Sequence, residues 1–194
     1  MRTSIVGITG LYCAGKNYVA DIFCKKGFAV LDVDKLGHIA IENEKAKIIS
    51  IFGNDVLGCA GNVDRRALGR KVFCNPQKLD ILEHIVHPEA NRLTDEWIAA
   101  HANENCLINA ALLYKSSALS KLDCIFFVRA PLFTRLARAR ARDHLSWREI
   151  IRRFASQKIT LRKYTEYADT ICICNAANGS QHLEAQIDAI LGEF

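Results

Sequence analysis

Five short apolar runs punctuate the chain, at residues 4–9, 28–33, 106–110, 124–128 and 170–174. Most are continuous rather than alternating, the pattern of strands covered on both faces. Helical patterns lie between them, beginning with an amphipathic segment at 18–26 and ending with another at 181–191. Strands that alternate with helices predict an α/β fold, a parallel sheet wrapped by helices, with ligands at the carboxyl ends of the strands. Residues 44–101 break the alternation: they are polar, helical and poor in strand signals. Helices are expected there at 44–52 and 64–73, separated by a loop marked by Gly53, Gly58 and Gly61, with Asp64 as an N-cap. A longer helical pattern over 79–100 contains Pro88, which predicts a kink or a restart at His87.

Composition narrows this only a little. At 194 residues, half hydrophobic and a quarter charged, the chain can bury a full core as one domain, with or without an inserted cap. The net charge of +5 suits a phosphate-rich small molecule and does not force polyanion binding. Eight cysteines are scattered through predicted strands and helices with no Cys-x-x-Cys, so they are expected to be reduced. Cys172 and Cys174 are expected to point to opposite faces of one strand. Arg2 and the apolar run after it are followed at once by glycines and Lys16, without a signal-peptide cleavage site. No segment approaches the length of a membrane span, and a soluble, cytoplasmic protein is expected.

The chemistry begins where the first strand runs into the first helix. Gly10-Leu11-Tyr12-Cys13-Ala14-Gly15-Lys16-Asn17 has the glycine spacing and the lysine of a phosphate-binding loop. Glycines let the backbone amides turn toward phosphate oxygens, the helix that follows adds its positive end, and Lys16 can bridge outer phosphates. The usual hydroxyl residue that ligates magnesium is replaced by Asn17. Downstream, the second strand ends in Asp32-Val33-Asp34; one carboxylate can cap the helix expected at 35–42, and the other can accept a proton from an attacking hydroxyl. Arg65 and Arg66 sit where a helix dipole disfavours cations, either as a solvated pair or as ligand groups. His87 is either a hydrogen-bonded interior histidine or part of a substrate wall. Seven arginines (135, 138, 140, 142, 148, 152 and 153) follow the fourth strand without a lysine among them. Arg135, Arg138 and Arg142 share one helix face, as a phosphate-gripping flap would require; a solvated basic face or a nucleic-acid patch are the alternatives.

These residues together resemble the dephospho-CoA kinase family over nearly the full length. The matching pieces are Gly10 through Lys16, Asp32 and Asp34, Asp64-Arg65-Arg66, Val86-His87-Pro88, Leu112-Leu113, Asp123, Arg138, Arg142-Asp143, Gln157, Lys163, Ala168-Asp169 and Asn175. The resemblance implies a three-layer P-loop nucleotide-kinase-like fold with a five-stranded parallel sheet. It also implies a core of residues 1–34, 101–138 and 161–194, a helical CoA-side insertion at 35–100 and a lid at 139–160. It further implies phosphoryl transfer from ATP to the ribose 3′-hydroxyl of dephospho-CoA, with Mg2+ present, and no nucleic-acid or membrane partner. Carried over by position, Asp34 is the base, and Lys16 with the loop amides of residues 10–17 is the phosphate cradle. Arg142 is the lid arginine and Asn175 lies near the nucleotide base, while Arg65, His87 and Arg138 line the acceptor or phosphate side. The chain departs from the family at Asn17, whose amide oxygen would have to ligate magnesium, at Asn109 and Ala111 in place of Asp and Pro, and at Lys115 in place of Glu. These departures keep two alternatives in view: a kinase of another nucleotide-like hydroxyl, and a catalytically weak ATP-binding regulatory protein.

Overall fold

The computed structural model describes residues 3–143, 146–156, 170–175 and 180–192. Gln157, Lys163, Ala168 and Asp169, with parts of the stretches expected as lid and terminal core, lie outside the described residues. The chain divides into two compact units, Met1–Leu31 with His101–Phe194, and Asp32–Ala100.

The first unit is built on strands β1 (Ile5–Gly10), β3 (Cys106–Asn109), β4 (Cys124–Arg129) and β5 (Thr170–Cys174), joined by β2 (Ala29–Asp32) in the order β2-β3-β1-β4-β5. β1 pairs in parallel with both β3 and β4, Val6 standing opposite Leu107 on one side and Cys124 on the other, and β4 pairs in parallel with β5. This is the expected five-stranded α/β sheet. All of β3 and nearly all of β4 are buried, which is why both read as unbroken apolar runs.

Helix α1 (Lys16–Lys25) lays Val19, Ile22 and Phe23 against Ile8, Phe126 and Val128 of the sheet. Phe23 meets Phe28 edge-on at 5.2 Å and Phe126 at 5.0 Å, so it centres the core. Burying such a ring contributes roughly 1.5–3 kcal/mol. The last described helix, Ser180–Leu191, joins the same core through Leu183 and Ile187. Asp123 ties the start of β1 in place: its carboxylate accepts from Ile5 N–H at 2.8 Å and its own N–H donates to Ile5 O at 2.8 Å.

The second unit is helical: α2 (Val33–Asn43), α3 (Lys45–Phe52), α4 (Arg65–Val72) and α5 (Pro76–Ala100). Ala40, Ile48, Phe52, Leu68, Val72, Val86 and Ala90 form its core. Asp64 caps α4 as expected, accepting from the N–H groups of Arg66 and Ala67. Those two bonds hold its carboxyl below the usual range, the Ala67 amide foremost. Asn43 at the end of α2 donates to Glu89 on α5, and Glu89 also accepts from Arg92.

Three expectations are corrected here. Helix α2 starts at Val33, so Asp34 lies in a first helical turn rather than on a strand end. Asp32 takes the N-cap position without a capping bond; it sits 3.8 Å from Lys35, with Oδ1 buried and without a hydrogen-bond partner. Helix α5 runs through Pro88 without interruption, so it does not restart at His87. Proline deletes one helical donor, but Val86, Ala90 and Ile98 are buried on both sides of it and favour the continuous helix. Finally, Cys172 and Cys174 share an exposed face of β5, with Ile173 buried between them. Residues two apart on a strand point the same way, so the opposite expectation was wrong. All eight cysteines are free thiols.

Candidate active site

The glycine loop occupies the turn from β1 into α1. Leu11 N–H donates to Val128 O at 3.2 Å and Ala14 N–H to Leu11 O at 2.9 Å, folding the loop back on itself. Two residues take left-handed backbone: Cys13 at φ 58° and Gly15 at φ 89°. A left-handed cysteine is uncommon, and such strain gathers at ligand sites. Gly15 is the N-cap of α1 and offers no side chain to cap its first turn, an end of a helix that favours anions. Lys16 is the first residue of that helix.

What holds the loop in this shape is the arginine face of α6 (Leu132–Asp143). Arg135, only 8% exposed, donates Nε–H to Tyr12 O at 2.8 Å and stacks its guanidinium 4.5 Å from the Phe154 ring. Burial pushes its pKa down from the ordinary arginine value. Arg138 donates to Ala14 O at 3.2 Å and to Asn175 Oδ1 at 3.3 Å. Asn175, 6% exposed, donates Nδ2–H to Ala14 O at 2.9 Å. Two side chains thus converge on one loop carbonyl.

Helix α7 (Trp147–Ser156) closes the arrangement around Tyr12. Phe154 meets the Tyr12 ring edge-on at 5.5 Å, and Arg142 and Arg153 stack over it at 5.4 and 5.6 Å. Arg153 also donates to the Tyr12 hydroxyl at 3.3 Å. Helix α7 begins with a capping box: Ser146 donates to Glu149, and the Glu149 N–H returns a bond to the Ser146 hydroxyl. The glycine-loop positions, Arg138, Arg142 and Asn175 therefore cluster in one place, as the sequence suggests. Arg135, Arg153 and the Tyr12 ring were not singled out as a brace. The signal for Arg135 was its i, i+3 spacing to Arg138; Arg153 and Phe154 carried none, since only folding brings α7 to the loop.

Beside Lys16, Asn17 turns its Oδ1 to Asn109 Nδ2 at 3.2 Å. Asn109 is 3% exposed and its own Oδ1 is buried without a hydrogen-bond partner. Neither residue is anionic, and among the described residues no group of three or more His, Cys, Asp or Glu side chains could hold a metal ion. The oxygen at position 17 is neutral, like the hydroxyl it replaces, and accepts a hydrogen bond from Asn109. Lys115 ends a short 3-10 turn after β3, whose buried Leu113 anchors it.

In the helical unit, Asp34 stands in the first turn of α2, Arg65 opens α4 with its side chain exposed, and His87 is half-buried on α5. His87 lines a cavity of about 420 Å³ with Glu83, His84, Pro88 and Asn91. No helix among the described residues is long and apolar enough to cross a membrane.

A parallel sheet with a glycine loop between its central strand and first helix, braced by an arginine helix, defines a P-loop kinase class of protein. The sequence pattern described as dephospho-CoA kinase matches residues 4–180. The dephospho-CoA kinase of Thermus thermophilus is 37% identical over 190 residues, 98% of this chain and 91% of that one. That of Methylococcus capsulatus is 30% identical over 96% and 94% of the two chains. Among solved structures, TT1252 from Thermus thermophilus superposes with a TM-score of 0.85 at 34% identity, covering 100% of this chain and 99% of that one. Dephospho-CoA kinase from Campylobacter jejuni does so with a TM-score of 0.65 at 25% identity, covering 100% and 98%. The chain belongs to the dephospho-CoA kinase family.

Proposed function

We propose that this protein transfers the γ-phosphoryl group of ATP to the ribose 3′-hydroxyl of dephospho-CoA, yielding CoA and ADP. The observation that carries the reading is the braced loop, whose uncapped first-turn amides and Lys16 suit a polyphosphate. Lys16 and the amides of residues 10–17 neutralise the transferring phosphates, and Arg142 adds charge from the α6 side. Asp34 accepts the proton of the 3′-hydroxyl as that oxygen bonds to the γ-phosphorus, and ADP leaves with the electrons of the broken P–O bond. Arg65, His87 and Arg138 bind the acceptor or its phosphates, the helical unit serving as the acceptor side and residues 139–160 as the lid. Asn175 acts near the nucleotide as part of the loop's brace. Phosphoryl transfer asks mainly for placement and charge compensation, which this set can supply. Mg2+ carried by the ATP phosphates would supply further charge compensation there.

The test is ADP release from ATP with dephospho-CoA, against a panel of nucleosides and small alcohols. Turnover with dephospho-CoA alone is expected, with Asp34→Asn lowering kcat about 10²- to 10⁴-fold. No turnover with any acceptor alongside tight ATP binding would leave a nucleotide-binding regulator instead. Unchanged turnover in Asp34→Asn would remove Asp34 from the base role.

A further inference from the structure

The Tyr12 side chain joins the loop to both arginine-bearing helices. It packs with Leu136 and Phe154 on the buried Cys13, Ala139 and Ile150, so apolar contact sets where the ring lies. Arg142, in the last turn of α6, and Arg153, on α7, hold their guanidiniums 5.4 and 5.6 Å from the ring centroid. Arg153 Nη1 also donates to the ring hydroxyl at 3.3 Å. The carbonyl of the same residue accepts from Arg135, whose guanidinium stacks on Phe154. Tyr12 is thus tied to α6 and α7 through backbone and ring together. Arg142 and Arg153 are exposed, and long exposed side chains sample many rotamers. Attraction to the negative face of an aromatic ring narrows that choice. It acts on the charge as a whole and does not consume the N–H donors, five per guanidinium, that grip phosphate oxygens. Two cations drawn to one ring also repel each other, and an anion beside both offsets the repulsion. Tyr12 lies between Gly10 and Gly15, so cations gathered on its ring stand beside the proposed phosphate cradle.

We propose that Arg153 binds the outer phosphates of the nucleotide together with Arg142, and that the Tyr12 ring positions both arginines for it. The proposal rests on the kinase reading and adds two side chains to it: Arg153 is a binding residue and Tyr12 a positioning residue. Phenylalanine at position 12 keeps the ring and both cation contacts, whereas leucine keeps apolar bulk and loses them. AMP, which has no outer phosphates, does not engage the two arginines.

Titration calorimetry of the full chain with ATP and with AMP tests this. Arg153→Ala is expected to weaken ATP about tenfold, the scale of one hydrogen bond to a charged group, and to leave AMP within about twofold. Tyr12→Leu is expected to weaken ATP about five- to tenfold, the scale of two exposed cation–ring contacts, again sparing AMP. Tyr12→Phe should bind ATP within about threefold of wild type. In a chain that already carries Arg142→Ala and Arg153→Ala, adding Tyr12→Leu should change ATP binding by less than about twofold. A purely structural role for the ring would cost the same factor in both backgrounds. Retained AMP binding shows that a variant is folded; if Tyr12→Leu binds neither nucleotide, Arg153→Ala, at an exposed position, decides. Arg153→Ala that binds ATP normally, Tyr12→Leu that weakens ATP and AMP alike, or a Tyr12→Leu loss that persists without the two arginines overturns the proposal and leaves the kinase reading standing. Wild-type protein that binds no ATP overturns the kinase reading itself.

Discussion

Replacing Gly15 by alanine tests whether the loop is a held shape rather than a loose turn. Gly15 has φ 89°, where an L side chain is disfavoured by about 1–2 kcal/mol. The added Cβ would stand 2.2 Å from Asn175 Nδ2 and 3.4 Å from Arg138 Nη1. The first distance is far inside van der Waals contact, so Asn175 must withdraw and its 2.9 Å bond to Ala14 O breaks. Leaving buried polar groups unmatched adds about 1–3 kcal/mol. The total, roughly 2–5 kcal/mol, must appear as lost stability, lost ATP affinity or a division between them. Gly27 supplies the control, because it has the same φ of 89° but nothing within 4 Å of an added Cβ. Gly27→Ala should show the backbone penalty alone. Denaturant melts with and without ATP, together with ATP titration, give both quantities. A Gly15→Ala protein no worse than Gly27→Ala in the sum of the two would refute the argument.

Other consequences can be checked in the same assays. Arg135→Ala removes a charged hydrogen bond and a stacked Phe154 contact while relieving a buried charge, and should lower stability by about 2–4 kcal/mol in denaturant melts. Asn175→Ala should weaken ATP and GTP binding by the same factor if Asn175 braces the loop; a selective loss for one base in nucleotide titrations would place it at the base. Glu89 is held down to about 2 from an ordinary 4.5, chiefly by its bond from Arg92 and then by that from Asn43. A depressed carboxyl contributes stability that is present above 4.5 and lost as pH falls toward 2. Acid unfolding followed by circular dichroism should therefore be shallower over that window in Glu89→Gln than in wild type.

The positions and order of the elements were legible in the sequence because they depend on local pattern. Continuous apolar runs become strands buried on both faces, and the glycine loop becomes the turn from β1 into α1. Asp64 shows the limit of certainty at its best, since a capping carboxylate acts on amides two and three residues away. Pro88 shows the opposite case: its local preference predicted a break, and burial of Val86 and Ala90 in one core overrode it.

What the sequence by itself determined was the α/β class, the glycine loop between the first strand and helix, and the family, all carried by short spacings. Tertiary structure decided the rest. It made Arg135 and Asn175 structural braces of the loop by bringing carbonyls 123 and 161 positions away within reach. It also set Asn109 against Asn17 across 92 positions. A side chain's chemistry is a local property. Which lone pair or hydrogen it presents depends on the partner that folding puts beside it, as Asn109 is put beside Asn17.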